Sequence, residues 1–205
     1  MAVHLIDNQT APSTPAAGKS VLWIDATTKK FVQTDDAGRH YGTLSRNSAI
    51  ASQAGFAADT YVTNSGLLIP SPGMQAGQLY RWIITAAKTA AGTAAPVYTI
   101  RVGPNQTTAD TLRLALTAVA QTAAIDNGTL IVTVQVRNVG AAGVIAGAAS
   151  WAKTLVGSQG LGGSIDGVGA AFDNSALAGN YVGLSINGGA SAAWTLTSVH
   201  AELIG

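Results

Sequence analysis

The stretch that decides the fold of this chain reads Leu-Ile-Val-Thr-Val-Gln-Val-Arg from residue 130 to residue 137. A second stretch, Val-Tyr-Thr-Ile-Arg-Val from residue 97 to residue 102, has the same pattern. In both, every second side chain is large and apolar, and most of the residues between are Thr, Gln or Arg. This two-residue period is that of a β-strand with one face buried and the other exposed.

The same alternation continues along residues 61–204 and is interrupted by clusters of Gly, Pro, Asn and Asp, which are typical of turns. It predicts major strands at about 79–88, 95–103, 111–118, 128–138, 143–154, 180–187 and 193–204. With short apolar runs after residue 60, this makes about eight strands, the number in a double-sheet jelly roll. The predicted fold class is all-β: an antiparallel jelly-roll sandwich at residues 51–205, preceded by an extended N-terminal arm and a small β-meander at residues 1–50.

Strand parity also predicts the interior of the sandwich. The side chains expected inside are Tyr80, Trp82, Tyr98, Ile100, Val102, Leu112, Leu114, Leu116, Val132, Val134, Leu184, Ile186, Trp194 and Leu196. In the last strand Trp194 and Leu196 share one face, whereas Val199 has the opposite parity, so we expect a bulge at 197–198. The strand at 143–154 carries mostly Ala, Gly and Ser, which indicates a neighbour at close range.

The first fifty residues differ in composition from the rest. Residues 1–20 are polar and contain Pro12 and Pro15, so they read as an extended arm. Residues 21–25, 31–33 and 40–44 predict three short strands, and a meander of this size needs a partner surface. Residues 45–59 are rich in Ser and Ala and are expected to form a linker, with the domain boundary near residue 50.

Composition restricts the classes of partner. Charged residues are only 10% of the 205 residues, against about 25% in a typical soluble domain, and 11 Lys and Arg balance 10 Asp and Glu. A net charge of +1 lacks the basic surface that nucleic acid requires, so no nucleic-acid partner is expected. With so little charge to keep its surface soluble, we expect the protein to bury part of that surface in an oligomer.

The chain has no cysteine, which excludes disulfides, a thiol nucleophile and cysteine-ligated metals. Residues 1–7 lack the basic and apolar regions of a signal peptide, and no segment approaches the ~18 uninterrupted apolar residues of a membrane span. We therefore expect a soluble protein that is made in a cytoplasm and does not insert into a membrane.

The sequence contains no convincing motif of a catalytic or ligand-binding site. The run Gly18-Lys19-Ser20 resembles the end of a phosphate-binding loop, but the glycine required five positions earlier is Ser13. The three histidines have no metal-ligand spacing, and most aspartates stand alone at turns without a second carboxylate. A calcium site in the hairpin turns at 25, 35 and 36 is a weaker alternative to their role in turn formation. No catalytic, cofactor-binding or metal site is predicted, and no enzyme activity is expected.

Apolar side chains of the meander are the candidate interface residues. A three-stranded meander has too little interior to cover all of its large side chains, so we expect several of them to contact a partner. The residues expected at this interface are Leu22, Trp23, Ile24, Phe31 and Tyr41.

Two parts of the sequence resemble a known family. Residues 17–38, which include Ser-Val-Leu-Trp-Ile-Asp and Phe-Val-Gln-Thr-Asp-Asp-Ala-Gly, are similar to the N-terminal segment of tailed-bacteriophage fibre and capsid-decoration proteins. The body from residue 59, through Gln-Leu-Tyr-Arg-Trp (78–82), Lys-Thr-Ala-Ala-Gly-Thr-Ala-Ala-Pro (88–96) and Thr-Thr-Ala-Asp-Thr (107–111) to Trp-Thr-Leu-Thr (194–197), resembles their trimeric jelly-roll domain. The resemblance covers nearly the whole chain, and its motifs are strand and turn sequences.

This resemblance implies a non-enzymatic virion protein that decorates and stabilises the capsid shell. It implies a homotrimer on the virion surface, made in the host bacterial cytoplasm, whose residues 1–50 bind the major capsid protein as in a cement or head-fibre protein. A tail-fibre or receptor-binding protein that recognises a host surface glycan is the alternative, although the chain has no long repetitive shaft. A glycan depolymerase is a third hypothesis, and it requires paired carboxylates that the sequence does not offer.

Overall fold

The computed structural model describes residues 8–10, 12–26, 30–38, 40–41, 43–153, 164–189 and 193–205. These residues form sixteen β-strands and no helix, and so they include no helix long and apolar enough to cross a membrane. The predicted all-β class is confirmed.

The strands, numbered in chain order, form three sheets. The N-terminal sheet has the order β1 (Asn8–Gln9), β2 (Ser20–Asp25), β3 (Phe31–Asp35) and β4 (His40–Tyr41). The five-stranded sheet has the order β11 (Thr111–Thr117), β10 (Val97–Gly103), β15 (Tyr181–Asn187) and β7 (Thr60–Tyr61), and β8 (Leu67–Leu68) also pairs with β15. The seven-stranded sheet has the order β14 (Ile165–Val168), β13 (Val144–Lys153), β12 (Asp126–Asn138), β9 (Leu79–Lys88), β16 (Trp194–Ile204) and β5 (Thr43–Ala49), and β6 (Gln53–Ala54) also pairs with β16.

From β5 onward the chain passes back and forth between the two larger sheets. The order β5-β16-β9-β12 in one sheet faces β7-β15-β10-β11 in the other, so neighbouring strands are mostly distant in sequence. The pairings of both sheets are antiparallel. This interleaving of two facing sheets is the jelly-roll arrangement that the strand count predicts, extended by β13 and β14.

The core lies between the two sheets and is filled by alternate side chains of their strands. Trp82 and Trp194 of the seven-stranded sheet and Tyr98 of the five-stranded sheet are fully buried. Their polar atoms have partners inside the core: Trp82 Nε1 donates to the Ser65 carbonyl at 2.7 Å, and the Tyr98 hydroxyl accepts from Trp151 Nε1 at 2.8 Å. Every residue of the predicted interior is buried except one.

That exception is Leu112, whose side chain is 50% exposed, so this part of the prediction is wrong. The pairing of β10 with β11 changes register: Ile100 lies opposite Leu114, but Arg101 lies opposite Leu112. Arg113 is therefore an extra residue in β11. One extra residue reverses the face of the side chains beyond it, and Leu112 consequently points away from the core.

The other predicted irregularity is confirmed. The pairing of β16 with β9 shifts between Leu196 and Ser198, which makes Thr197 the bulged residue. Its hydroxyl donates to the Thr85 carbonyl at 3.2 Å. The bulge restores the phase, so that Trp194, Leu196, Val199 and the following alternate residues are all buried.

Small residues let the two sheets approach closely along one side of the sandwich. A Cβ atom on Gly147 of β13 would lie 2.7 Å from the Thr133 carbonyl oxygen and 3.1 Å from Leu114 Cδ2. A Cβ atom on Gly169 would lie 2.4 Å from the Arg113 carbonyl oxygen. The close neighbour expected beside the strand at 143–154 is therefore its own sheet partner β12 together with β11 of the facing sheet.

The predicted linker at 45–59 is instead part of the sandwich. β5 pairs with β16 over Thr43–Ala49, so the seven-stranded sheet begins before the boundary expected near residue 50. Side chains join this edge to the five-stranded sheet: Asn47 Nδ2 donates to the Gly66 carbonyl at 3.1 Å, and Ser45 Oγ accepts from the Leu68 amide at 3.1 Å. Over residues 45–49, where the side chains of β5 are described, the buried positions are Ser45 and Ala49, and such small or polar residues give no hydrophobic signal.

We predict that Leu114→Ala lowers the free energy of unfolding by about 2 to 5 kcal/mol, because it leaves a cavity over Gly147 and Gly167. Leu112→Ala removes the same atoms from an exposed position two residues away and should cost less than ~1 kcal/mol. Denaturant unfolding of the two variants measures both values. Equal losses would contradict the register change in β11.

Candidate functional site: the N-terminal sheet

The N-terminal sheet has apolar side chains on both faces. β2 and β3 pair with Leu22 opposite Gln33, Trp23 opposite Val32 and Ile24 opposite Phe31. Because side chains alternate along a strand, Trp23 and Val32 lie on one face and Leu22, Ile24 and Phe31 on the other. We call these the inner face and the outer apolar face.

The inner face packs against the rest of the protein. Trp23 and Val32 are each only 1% exposed and belong to the same buried cluster as the core of the sandwich. Trp23 Nε1 donates to Thr34 Oγ1 at 2.8 Å, and its ring meets the His40 ring edge-on, with 5.5 Å between centroids. The exposure expected for Trp23 is therefore wrong, since its indole ring is part of the core and is not available to a partner.

The outer apolar face remains open. Leu22 is 64% exposed and Phe31 is 58% exposed, while Ile24 is half-buried. The side chain of Tyr41, the fifth predicted interface residue, lies outside the described part of the chain. Three of the five predicted residues thus share one face, and no other described strand covers it.

The turn between β3 and β4 ties this sheet to the sandwich. Gly38 has a φ of 76°, as its position in the turn requires, and its amide donates to the Asp35 carbonyl at 3.0 Å. Gln75, in the loop before β9, accepts from the His40 amide at 3.2 Å and donates to the Gly38 carbonyl at 3.3 Å. A groove of about 390 Å³ separates this turn from Met74 and neighbouring residues. The sheet is therefore held at the end of the sandwich where β9 begins.

The turn aspartates act on the backbone. Asp35 accepts from the Ala37 amide at 3.0 Å, and Asp36 accepts from the Gly18 amide at 2.6 Å, which holds the arm against the turn. Within the described ranges, no three His, Asp or Glu side chains are close enough together to hold a metal ion. The observed contacts of Asp35 and Asp36 are therefore hydrogen bonds to backbone amides, as expected for residues that stabilise turns.

Burial lowers the pKa of His40 below its usual value of 6.5, and the carboxylates of Asp25 and Asp35 oppose this shift. The imidazole is 5% exposed, and its Nδ1 atom has no hydrogen-bond partner among the described residues. A neutral ring beside Trp23 is consistent with this apolar site, whereas a charged one would have to be desolvated.

Two polar clusters of the sandwich were missed by sequence reasoning because their members are far apart in the chain. Arg101 pairs with Asp59 and also donates to Ser185 Oγ at 2.9 Å and to the Asp110 carbonyl at 2.8 Å. The Asp110 carboxylate accepts from the Gln106 amide at 2.7 Å. These contacts fasten loops to the five-stranded sheet, so the guanidinium has little capacity left for a ligand.

The second cluster surrounds Lys88, which is 1% exposed. Burial lowers the pKa of its ammonium group, and the nearby Asp126 carboxylate opposes this shift. Lys88 Nζ donates to the carbonyls of Thr89, Thr122 and Ala124 at 3.0, 2.9 and 2.6 Å. A buried lysine with a lowered pKa is often a functional group. Here its three donors are already bonded to the backbone, which favours a structural role.

No protein-family model matches this chain, and the search of curated proteins returns no match. Function must therefore be inferred from the fold, from the outer apolar face and from the sequence resemblance.

We predict that acidification loosens the N-terminal sheet before it affects the sandwich. Because the pKa of His40 is lower when folded than when unfolded, the unfolded sheet takes up the proton first as pH falls through about 6.5. Stability contributed by the neutral ring is thus present above that pH and is lost below it. Amide hydrogen exchange of β2 and β3, corrected for intrinsic rates, should be faster at about pH 5.5 than at about pH 7.5.

The control for this prediction is His40→Gln, which should remove most of the pH dependence. β12 of the same molecule provides the internal reference. Equal protection of β2 at both pH values in the unsubstituted protein would show that His40 does not control the sheet.

Proposed function

We propose that this protein is a non-enzymatic structural protein of a tailed-bacteriophage virion, which decorates and stabilises the capsid shell as a homotrimer. In this proposal the jelly roll stands on the capsid surface, and the N-terminal arm and sheet bind the major capsid protein. The chain would be made in the host bacterial cytoplasm and then join the assembled shell.

The observation that carries the proposal is the outer apolar face of the N-terminal sheet. Leu22 and Phe31 are each more than half exposed on a sheet held at one end of the sandwich. Monomeric soluble proteins rarely expose large apolar side chains side by side, and such clusters commonly mark sites of protein contact. The position at one end suits an anchor because the rest of the sandwich can project from the shell.

The free energy available from one outer apolar face is small, so attachment to the capsid would depend on several weak contacts acting together. Burying the exposed parts of Leu22 and Phe31 would contribute about 1 to 2 kcal/mol each. Three such faces in a trimer bind as linked sites, so their combined affinity exceeds that of one arm by orders of magnitude. An attachment of this kind needs the fold and the apolar face, and it needs no catalytic group.

A receptor-binding protein of the tail is the second candidate, and the opposite end of the sandwich favours it. The segments at 50–58, 89–96, 118–125 and 188–189 contain no Asp, Glu, Lys, Arg or His. Ile50, Val119 and Ile125 in these segments are 94%, 66% and 73% exposed. An uncharged end with exposed aliphatic side chains could contact a host surface glycan or protein. Electron microscopy of the purified virion distinguishes the candidates by locating the chain on the shell or on the tail.

We predict that removing residues 1–42 abolishes decoration of capsids that lack the protein, while the sandwich stays folded with a lower free energy of unfolding because it loses the packing of Trp23 and Val32. The deletion stops at residue 42 because β5 belongs to the seven-stranded sheet and its loss would damage the sandwich itself. Binding is measured by co-sedimentation with capsids, and folding by circular dichroism. A truncated chain that binds as tightly as the full chain would place attachment in the jelly roll.

The double substitution Leu22→Asp and Phe31→Asp tests the same face without shortening the chain. Because charge on the face prevents its burial, we expect at least ~10-fold weaker binding to capsids. The matched control is Leu112→Asp with Val119→Asp, which alters two comparably exposed apolar residues of the sandwich. Binding weakened by the control pair and not by the first pair would contradict the proposed anchor.

A further inference from the structure

The side of the seven-stranded sheet that faces away from the core has an unusual composition for a surface. At its centre Ile131 of β12 lies directly opposite Ile83 of β9, and both are half-buried. The neighbouring positions on these two strands are Thr85, Thr129, Thr133 and Arg81, with Ala148 and Ser150 on β13 and His200 opposite Ile83 on β16. An antiparallel sheet that faces water normally carries many charged side chains, whereas the one Lys, Arg, Asp or Glu among these neighbours is Arg81, whose charge is paired with Glu202.

The shape of this face follows from its small side chains. A shallow groove of about 440 Å³ lies on one side of the isoleucine pair and is lined by residues that include Thr133, Ala146 and Ala148. A second groove, of about 310 Å³, lies on the other side and includes Thr85, Ala87 and Thr129 in its lining. The two isoleucines therefore form a low apolar ridge between two grooves. The same ridge on a second copy of the chain could pack closely against this surface.

The area of the face is sufficient for a stable contact. The six strands from β14 to β5, at intervals of about 4.8 Å, span about 24 Å, and ten residues at about 3.3 Å each are about 33 Å long. The resulting ~800 Å² is what each partner contributes to a standard protein interface.

Charges occur on this face mainly in one row across the sheet. The register places Asp166, Ala148, Thr133, Arg81, Glu202 and Arg46 side by side, from β14 at one margin to β5 at the other. Glu202 in this row is already bonded to Arg81. Arg46 and Asp166 are exposed at opposite margins of the face.

This arrangement of charge fits a second copy of the chain. Consider copies related by rotation about an axis parallel to the strands. The row of charges then lies at the same height along the axis in every copy. The β5 margin of one copy lies beside the β14 margin of the next. A cyclic assembly of this kind is closed, and it repeats the same two-sided contact between every pair of neighbours. Arg46 of one copy would then meet Asp166 of the next, with opposite charges facing each other.

We propose that the outer face of the seven-stranded sheet is where three copies of this chain meet, with the Ile83–Ile131 ridge turned toward the threefold axis and Arg46 against Asp166 of the neighbouring copy. The inference deepens the proposed function and rests on its homotrimer, for which it names the contact surface. It leaves the outer apolar face of the N-terminal sheet free for another partner.

Light scattering after size-exclusion chromatography tests the surface with the full chain at micromolar concentration. The unsubstituted protein should have three times the chain mass, and Ile131→Lys should reduce it to a single chain mass. The matched control is Leu112→Lys, which places the same charge at a half-exposed leucine on the outside of the five-stranded sheet and should leave the trimer intact. A trimeric Ile131→Lys protein, or an unsubstituted protein of single chain mass, overturns the proposal.

Ile131→Lys could also act by unfolding the chain, so a charge exchange provides the second measurement. Arg46→Asp should shift the protein toward the single chain mass, and adding Asp166→Arg should restore the trimer, because the pair is then reversed and still complementary. Failure of the second substitution to restore the trimer contradicts the Arg46–Asp166 contact. Capsid decoration is assayed separately: a trimer that depends on this face and does not bind capsids refutes the proposed function and leaves the interface standing.

Discussion

The close packing of the two sheets requires a partner for the polar atom of a buried tyrosine between them, and the hydrogen bond from Trp151 Nε1 to the Tyr98 hydroxyl supplies it. Tyr98 is completely buried, and burial raises the pKa of its hydroxyl above the ordinary value. A buried hydroxyl without a hydrogen-bond partner would destabilise the folded state by about 1 to 3 kcal/mol. The Trp151 indole avoids this loss because it donates a hydrogen bond to the Tyr98 hydroxyl. The Trp151 ring also meets the Trp194 ring edge-on, with 5.2 Å between centroids. One residue of β13 thus connects β10 of the facing sheet with β16 of its own.

The two sides of the sandwich are closed by different means, and the difference determines which surfaces remain for partners. Beside β13 and β14 the sheets meet through glycines, and Leu114 lies against Gly147 and Gly167. Beside β5 they are joined by side-chain amides, such as that of Asn64, which donates to the Ser48 carbonyl at 3.0 Å. Open strand edges invite pairing with other chains, and both closures reduce that hazard. Contacts with partners are therefore expected on sheet faces and at the two ends.

Several charged side chains of this protein hold its loops in place. Arg101 and Lys88 bond to loop carbonyls, and Asp110 holds loop amides. With charged residues at only 10% of the chain, these internal contacts leave few for the surface. The apolar ridge at Ile83 and Ile131 and the exposed side chains of the N-terminal sheet are the result. Exposed apolar surfaces of this kind commonly mark sites of protein contact.

The sequence by itself determined the features that repeat within one strand. Alternation along 130–136 predicts a strand and its buried face, and the parity break between Leu196 and Val199 predicts the bulge at Thr197, because both signals lie inside one segment. The tertiary structure alone decided the features that depend on a partner strand. Leu112, Leu114 and Leu116 keep an unbroken alternation, yet the extra residue Arg113 is defined only by the register against β10. In the same way, β5 is held to the sheet by backbone pairing and Trp23 is covered by residues distant in the chain, so no local pattern of hydrophobicity could reveal either.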